Sequence, residues 1–275
     1  MKVVFCIDDK PAYLTMLKVA VRTLRNVMGA SAPCLCVYAG ENASILSALA
    51  REGIPVARYR PRLNLDNAEQ HFRDVRGCFL KLELALLPEL AADDYALYCD
   101  ADVMFLRPLD ALLSKTPPYI GMAREFTAPF YHEHESLKYQ FQGEEYTVPM
   151  PFPIWTYSSG VALFNLRRLR QRRLIDHFLA FCQQNLNLIG NLDQSLLNYY
   201  FGKRITKLED CWNRPPYHAD CRETAHIVHF HGAKPWEGNC PSKIIQELAI
   251  NDFKPLSQEW ASWLTAEERA LVGMG

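Results

Sequence analysis

The sequence predicts an α/β protein, a mixed and mainly parallel sheet flanked by helices. Two observations carry this. Short apolar runs rich in β-branched residues alternate with stretches whose apolar residues recur at helical spacing, as in strands joined by crossover helices. At 275 residues and 49% hydrophobic content the chain can also bury a sizeable core without a disulfide or structural metal.

Val3 to Ile7 reads as the first strand and Leu14 to Leu24 as the first helix, with Leu14, Leu17, Val21 and Leu24 in phase. Cys34 to Tyr38, Ala43 to Arg51 and Val56 to Tyr59 repeat strand, helix and strand. Cys78 to Leu90 has the composition of an apolar helix stopped near Pro88. Tyr95 to Cys99 is a buried strand that ends in Asp100-Ala101-Asp102 and continues into Val103 to Leu106. Ile120 to Ala123 is a further strand, whereas Phe126 to Thr156, aromatic and proline-rich with weak periodicity, is expected to form a long loop or lid. Tyr157 to Phe164 is a strand. Leu166 to Gln184 follows as one amphipathic helix with Leu166, Leu169, Arg173 and His177 on its buried stripe. Gln194 to Phe201 is a short helix and Ile227 to Phe230 a last strand.

A formal net charge of -1 provides no global field to recruit nucleic acid or an anionic membrane surface. No apolar run approaches the roughly 18 residues of a membrane-spanning helix, so no transmembrane segment is expected. The opening apolar run is cut short by Asp8 and Asp9, too early for a signal peptide. The nine cysteines are scattered and odd in number, and Cys34-x-Cys36 has neither zinc-knuckle nor redox spacing. A soluble, cytoplasmic protein with reduced thiols is the expectation. Nothing in the sequence assigns an oligomeric state.

Two clusters carry chemistry. Side chains two apart at a strand end project to one side, so Asp100 and Asp102 can aim two carboxylates at one point. That suits a hard divalent cation, Mn²⁺ or Mg²⁺, which takes oxygen ligands and leaves positions for phosphate oxygens. A solvated turn is the plainer reading, but apolar strand residues on both sides make it a poor place for two unpaired carboxylates. The second cluster is His229-Phe-His-Gly-Ala-Lys-Pro-Trp236. Its imidazole can complete the metal's ligands, Gly232 lets backbone approach a phosphate, and Lys234 can pair with a diphosphate. Trp236 reads as a packing residue.

The chain resembles the family-8 retaining glycosyltransferases, the glycogenin-like and lipopolysaccharide hexosyltransferase-like enzymes. The matching segments run in order through most of the chain. They are Val3-Val-Phe-Cys-Ile-Asp-Asp9, Leu97-Tyr-Cys-Asp-Ala-Asp-Val103, Tyr157-Ser-Ser-Gly-Val-Ala-Leu-Phe-Asn-Leu166, Leu192-Asp-Gln-Ser-Leu-Leu-Asn198, Trp212-Asn213, and His229-Phe-x-Gly with Lys-Pro-Trp236. The resemblance implies a GT-A nucleotide-diphospho-sugar transferase fold and transfer of a hexose from a UDP-sugar donor to a glycan or other hydroxyl acceptor. It implies Mn²⁺ or Mg²⁺ held by Asp100, Asp102 and His229. Asp8 and Asp9 match the uracil and ribose side, and Asp100, Ala101, Ser158, Gly232 and Lys234 join them around the donor. Lys81 stands where the family commonly carries an arginine near the donor sugar and diphosphate, and so joins the donor-binding set, and Asp193 with Gln194 match the pair that faces the anomeric centre as catalytic residues.

Three departures accompany the match. Lys10-Pro11 replaces the usual tyrosine, leaving Tyr13 as a stand-in for the base-stacking ring. Ser158 replaces an asparagine, and the last motif is one residue short, so His231 competes with His229 as ligand. Residues 1–275 read as one glycosyltransferase domain, with a donor part over 1–125, an acceptor-side lid and remaining catalytic part over 126–240, and a C-terminal appendage over 241–275.

Retention of configuration admits a double displacement or a front-face route in which the leaving phosphate takes the acceptor proton. The front-face route, with Asp193 and Gln194 positioning the donor, is the expectation. The basic run Arg167, Arg168, Arg170, Arg172 and Arg173 reads as a solvated helix face or as an attractor for an anionic acceptor. Tyr131, Glu133, Glu135, Tyr139, Glu144, Glu145 and Tyr146 of the lid segment have the chemistry to meet a sugar. Two other readings stand beside this one. A haloacid-dehalogenase-like phosphatase would use Asp100 as nucleophile, and a catalytically inactive sugar-nucleotide-binding domain would bind without turnover.

Overall fold

The computed structural model of the chain describes residues 1–66, 73, 76–125, 136–141, 144–149, 156–186, 192–218, 220–237 and 252–274, with 136–149 traced as backbone. Seven strands form one sheet in the order β3-β2-β1-β4-β9-β6-β10. They are β1 (Lys2–Ile7), β2 (Cys34–Tyr38), β3 (Val56–Arg58), β4 (Tyr95–Cys99), β6 (Ile120–Arg124), β9 (Tyr157–Asn165) and β10 (Ile205–Leu208). β1 pairs in parallel with β2 and β4, β2 with β3, and β6 with β10, while β9 runs antiparallel to both β4 and β6. The mainly parallel sheet and its flanking helices match the expected fold class.

Alternation along β1 explains the two-sided core. Val3, Phe5 and Ile7 face one cluster with Leu17, Val21 and Leu97, and Val4 and Cys6 face the other with Phe79, Tyr98 and Phe178. Helix α1 (Pro11–Met28) starts with a proline at its first turn and buries Met16, Leu17, Ala20, Val21 and Leu24. Helix α2 (Ala43–Arg51) begins at Asn42, whose side chain accepts from the Ser44 amide at 2.9 Å.

The order of strands creates the site. From β1 the chain builds β2 and β3 outward on one side, then returns to lay β4 on the other side of β1. Ligands of open α/β sheets gather beyond the carboxyl ends of strands at such a reversal. Asp8 follows β1 there, and Asp100 follows β4.

Several elements differ from the sequence reading. Residues 78–90 form 3₁₀ turns, Arg76–Leu86 and Pro88–Leu90, in place of an α-helix. Its apolar residues are buried almost all round, so helical periodicity was a poor guide there. Val103–Phe105 (β5) does not extend β4: the chain turns at 100–102, and β5 pairs antiparallel with β11 (Ile227–His229) as a separate two-stranded sheet. The helix predicted over 166–184 breaks at a 3₁₀ turn, Gln171–Arg173, where Arg173 takes a left-handed φ of 56°. The break resets the helical phase. Ile175, Phe178, Leu179 and Cys182 form the buried face of Leu174–Asn185, whereas Arg173 and His177 are exposed.

Within the expected lid, Ser136–Phe141 (β7) and Glu144–Pro149 (β8) pair as an antiparallel hairpin. Tyr131, Glu133 and Glu135 lie outside the described residues, and Tyr139, Glu144, Glu145 and Tyr146 belong to the hairpin backbone. The arginines of the run whose side chains are described have protein partners. Arg170 donates to the carbonyls of Leu90, Ala91, Asp93 and Ala85, and Arg168 reaches the Tyr119 hydroxyl at 3.1 Å. Arg167 and Arg173 face Asp94 and Asp176, and the Arg172 side chain lies outside the described residues. No helix among the described residues is long and apolar enough to cross a membrane.

Two C-terminal helices, Phe253–Ser262 and Ala266–Leu271, close the described chain. Phe253 packs on Phe230, and Trp260 on Trp236, so Trp236 is a packing residue as expected. Thr265 and Glu268 form a reciprocal capping box, and Glu268 also receives Arg22 at 2.7 Å and Lys18 at 2.8 Å from α1. Burial opposes the Glu268 charge, but the Arg22, Lys18 and Thr265 hydrogen bonds overcome it and pull the carboxyl from 4.5 to about 2. A depressed carboxylate stabilises the fold above its unfolded pKa and loses that contribution as pH falls through the folded value. Glu268→Gln is therefore expected to melt below the wild type at pH 7, with the gap closing between pH 4.5 and about 2. Thermal melts across that range check this; a gap independent of pH would contradict it.

Candidate active site

Three chain segments converge at the switch point. β4 delivers Asp100, whose amide donates to the Gly160 carbonyl on β9 at 2.7 Å, and the turn that follows delivers Asp102. The small β5–β11 sheet brings His229 opposite Val103, and the Phe230 amide donates to the Asp102 carbonyl at 2.9 Å. One ligand atom from each of Asp100, Asp102 and His229 lies within 4.8 Å of the others. His229 Nε2 is 3.3 Å from Asp102 Oδ1 and 3.6 Å from Asp100 Oδ2.

The imidazole is fixed from behind. Asn213 Oδ1 lies 2.8 Å from His229 Nδ1, so that nitrogen carries the proton and Nε2 presents its lone pair toward the carboxylates. Gly160 makes room for the ring, since a β-carbon there would stand 2.0 Å from His229 Cε1. Three lone-pair donors facing one point repel each other unless a cation or proton lies among them. Burial works against a charged His229, yet Asp102 and Asp100 outweigh it and raise the imidazole pKa. Two carboxylates and an imidazole with its far nitrogen hydrogen-bonded are the donor set of a hard or borderline divalent cation, so these residues fit Mn²⁺ or Mg²⁺.

Each carboxylate also meets an ammonium. Lys234 Nζ is 2.5 Å from Asp102 Oδ2 and donates to the Phe230 carbonyl at 3.2 Å. Burial would raise the Asp102 pKa, but Lys234 and His229 hold it far below the usual carboxylate range. Lys81, fully buried, lies 3.1 Å from Asp100 Oδ1, 2.8 Å from Asp193 Oδ2 and 3.4 Å from the Ser159 carbonyl. Burial disfavours its charge; the two carboxylates dominate and raise its pKa. Its three N–H groups all meet protein acceptors, which puts Lys81 beneath the carboxylates.

Asp193 and Gln194 open the helix Leu192–Phe201 after Leu192 at a left-handed φ of 51°. The Ser159 hydroxyl donates to Asp193 Oδ2 at 2.8 Å, and the Ser159 amide to Gln194 Oε1 at 3.1 Å. Both side chains are therefore tied to β9 beside Asp100. Ser158 and Ala101 are buried next to this group. Gly232 has a φ of 82° with open space where a β-carbon would point, so backbone conformation is what calls for glycine there.

The remaining residues line the other flank. Asp8 accepts from the Lys10 amide at 3.1 Å and from the Gly77 amide at 3.3 Å. Asp9 accepts from the Tyr38 hydroxyl and from the amides of Glu41 and Asn42. A cavity of about 1000 Å³ opens beside it, lined by Tyr38, Arg58, Arg60, Asp66 and Arg76 among others. Tyr13 is half-buried with Lys10 Nζ 5.4 Å from its ring centre. His231 does not join the metal cluster; its ring meets the Tyr217 hydroxyl at 2.6 Å and faces Glu125 at 3.7 Å.

Sequence reasoning passed over Tyr98, Ser159, Gly160 and Asn213 as individual contributors. Ser159, Gly160 and Asn213 sit inside matched segments, so the signal was present without a role attached. Tyr98 was marked by strand alternation, two positions before Asp100.

The model of Glycosyl transferase family 8 matches residues 3–240. A curated relative, glucoside xylosyltransferase 2 of Xenopus laevis, is 31% identical over 147 residues, 48% of this chain and 34% of the relative. The match thus spans about a third of that relative's length. Among solved structures, the galactosyltransferase LgtC in complex with donor and acceptor sugar analogues superposes at a TM-score of 0.70 and 20% identity, covering 99% of this chain and all of the other. Mouse xyloside xylosyltransferase 1 superposes at 0.53 with 16% identity, covering 84% and 97%. At these identities the structures speak for the fold.

The Asn213 contact yields a measurable consequence. Outer hydrogen-bond partners of ligating histidines typically govern metal affinity by 10–100-fold. Asn213→Ala is expected to weaken Mn²⁺ binding by about that factor with the melting temperature nearly kept, as read by calorimetry; unchanged affinity would mean the Asn213 bond does not orient the ligand.

Proposed function

We propose that the chain, which belongs to glycosyl transferase family 8, transfers a hexose from a UDP-sugar donor to an acceptor, that Mn²⁺ or Mg²⁺ is required, and that the anomeric configuration is retained. The acceptor on this reading is a hydroxyl of a glycan or other saccharide. The observation that carries it is the convergence of Asp100 Oδ2, Asp102 Oδ1 and His229 Nε2, with His229 Nδ1 held by Asn213. The alternative phosphatase reading, with Asp100 as nucleophile, gives way to the family match.

Asp100, Asp102 and His229 would hold the cation, which supplies Lewis-acid stabilisation of the negative charge that grows on the leaving diphosphate. Lys234, partly exposed beside Asp102, adds a positive charge on the same side. Asp8 and Asp9, at the end of β1, address the base and ribose, with Tyr13 as the stand-in for the base-stacking ring. Asp193 and Gln194 lie beside Asp100, with Lys81 between Asp193 and Asp100, and address the donor sugar.

In the reaction the C1–O bond to the diphosphate breaks and a C1–O bond to the acceptor forms. On the front-face route the acceptor proton passes to the departing phosphate oxygen. The pairing of Asp193 Oδ2 with both Lys81 and Ser159 supports a positioning role, because a carboxylate oxygen already receiving an ammonium and a hydroxyl is a poor nucleophile. Trapping a kinetically competent glycosyl adduct on Asp193 or Gln194 would overturn this route.

UDP-glucose, UDP-galactose and UDP-xylose screened for Mn²⁺-dependent UDP release test the donor assignment. UDP binding without release would favour the inactive binding domain instead. A Lewis-acid metal supplies several kcal/mol and about 1.4 kcal/mol is tenfold in rate, so Asp102→Asn is expected to lower turnover by at least about 100-fold with its fold intact. Near-normal turnover in that variant would remove the metal from the mechanism.

A further inference from the structure

Both metal-side carboxylates are divided in the same way. Asp102 gives Oδ2 to Lys234 and turns Oδ1 toward His229. Asp100 turns Oδ2 toward His229, while its Oδ1 accepts from Lys81 and from the hydroxyl of Tyr98. Each carboxylate therefore offers one oxygen to the centre and keeps the other against a donor.

Tyr98 is the uncharged member of this layer. It lies on β4 two residues before Asp100, is 1% exposed, and its ring carries Lys81 Nζ 4.4 Å from the centroid. Lys81 divides its hydrogen bonds between Asp100, Asp193 and Ser159, so it restrains Asp100 rotation less than a donor aimed at that oxygen alone. The Tyr98 hydroxyl donates to Asp100 Oδ1.

The number of oxygens a carboxylate presents decides which cation it prefers. Ca²⁺ accepts six to eight ligands and readily takes a carboxylate through both oxygens, whereas Mg²⁺ and small octahedral ions want six single-oxygen ligands at shorter distance. We infer that Tyr98 is a positioning residue that restricts Asp100 to one-oxygen ligation and so makes the centre discriminate Mn²⁺ and Mg²⁺ from Ca²⁺. The role rests on the metal reading of Asp100, Asp102 and His229. Tyr98 touches neither cation nor substrate and acts through Asp100.

Calorimetric titration of the full chain with MnCl₂ and with CaCl₂, in the presence of UDP, tests it. In Tyr98→Phe the ratio of Ca²⁺ to Mn²⁺ dissociation constants is expected to fall about tenfold from the wild-type value, through weaker Mn²⁺ and stronger Ca²⁺ binding. Asn213→Ala, which loosens the imidazole instead, serves as the control: it weakens both ions and leaves their ratio within about twofold. An unchanged ratio in Tyr98→Phe overturns the inference, as does a ratio that moves equally in both variants. Failure of the wild type to bind any divalent cation would remove the metal centre itself, and this role with it, whereas wild-type binding with an unmoved ratio removes this role alone.

Discussion

The structure is organised around a crowding of negative charge. Asp8, Asp100, Asp102 and Asp193 are all brought to the carboxyl ends of neighbouring strands, and all but Asp100 are nearly buried. Like charges at such separations raise one another's pKa unless cations intervene. Lys81 stands between Asp100 and Asp193, Lys234 stands against Asp102, and His229 faces the gap that remains. Asp8 is met by backbone amides instead. What remains is the point between two carboxylates and an imidazole, the donor set that the proposed divalent cation would complete.

The sheet order makes the crowding possible, and two local devices make it accurate. β9, antiparallel between β4 and β6, carries Ser159 to Asp193 and Gln194 and carries Gly160 past His229. The short β5–β11 pair returns a segment more than a hundred positions later to the turn that holds Asp102. Residues distant in sequence thus meet on strands rather than on free loops, where side-chain placement is better defined.

Short continuous apolar runs made β1, β2, β4 and β9 legible in the sequence, and Asp100 with Asp102 closes one such run while His229 closes another. Some other elements were not legible. The Arg76–Leu86 segment is buried nearly all round, so its composition resembled a helix while its backbone closed into 3₁₀ turns. Arg173 broke a helix that the pattern carried straight through, because a left-handed residue leaves no mark in hydrophobicity. Ile205–Leu208, an edge strand buried only at its two ends around Thr206 and Lys207, has no apolar run to mark it. The outer partners Tyr98 and Asn213 were hidden for a different reason: a residue that acts through another carries no chemistry of its own for a motif to reveal.

Lys81 shows how a departure from a family pattern can be read physically. The position where such enzymes commonly carry an arginine holds an ammonium that meets Asp100, Asp193 and Ser159. A guanidinium presents its donors in one plane and cannot serve three acceptors arranged around a point without moving at least one. The lysine therefore fits a buried role, and no part of its charge projects toward a diphosphate. Lys234, by contrast, is partly exposed and leans on Asp102, on the side where the proposed donor's phosphates would lie. On the proposed reading a diphosphate would share the cation that Asp100, Asp102 and His229 would hold, which would couple donor binding to metal binding.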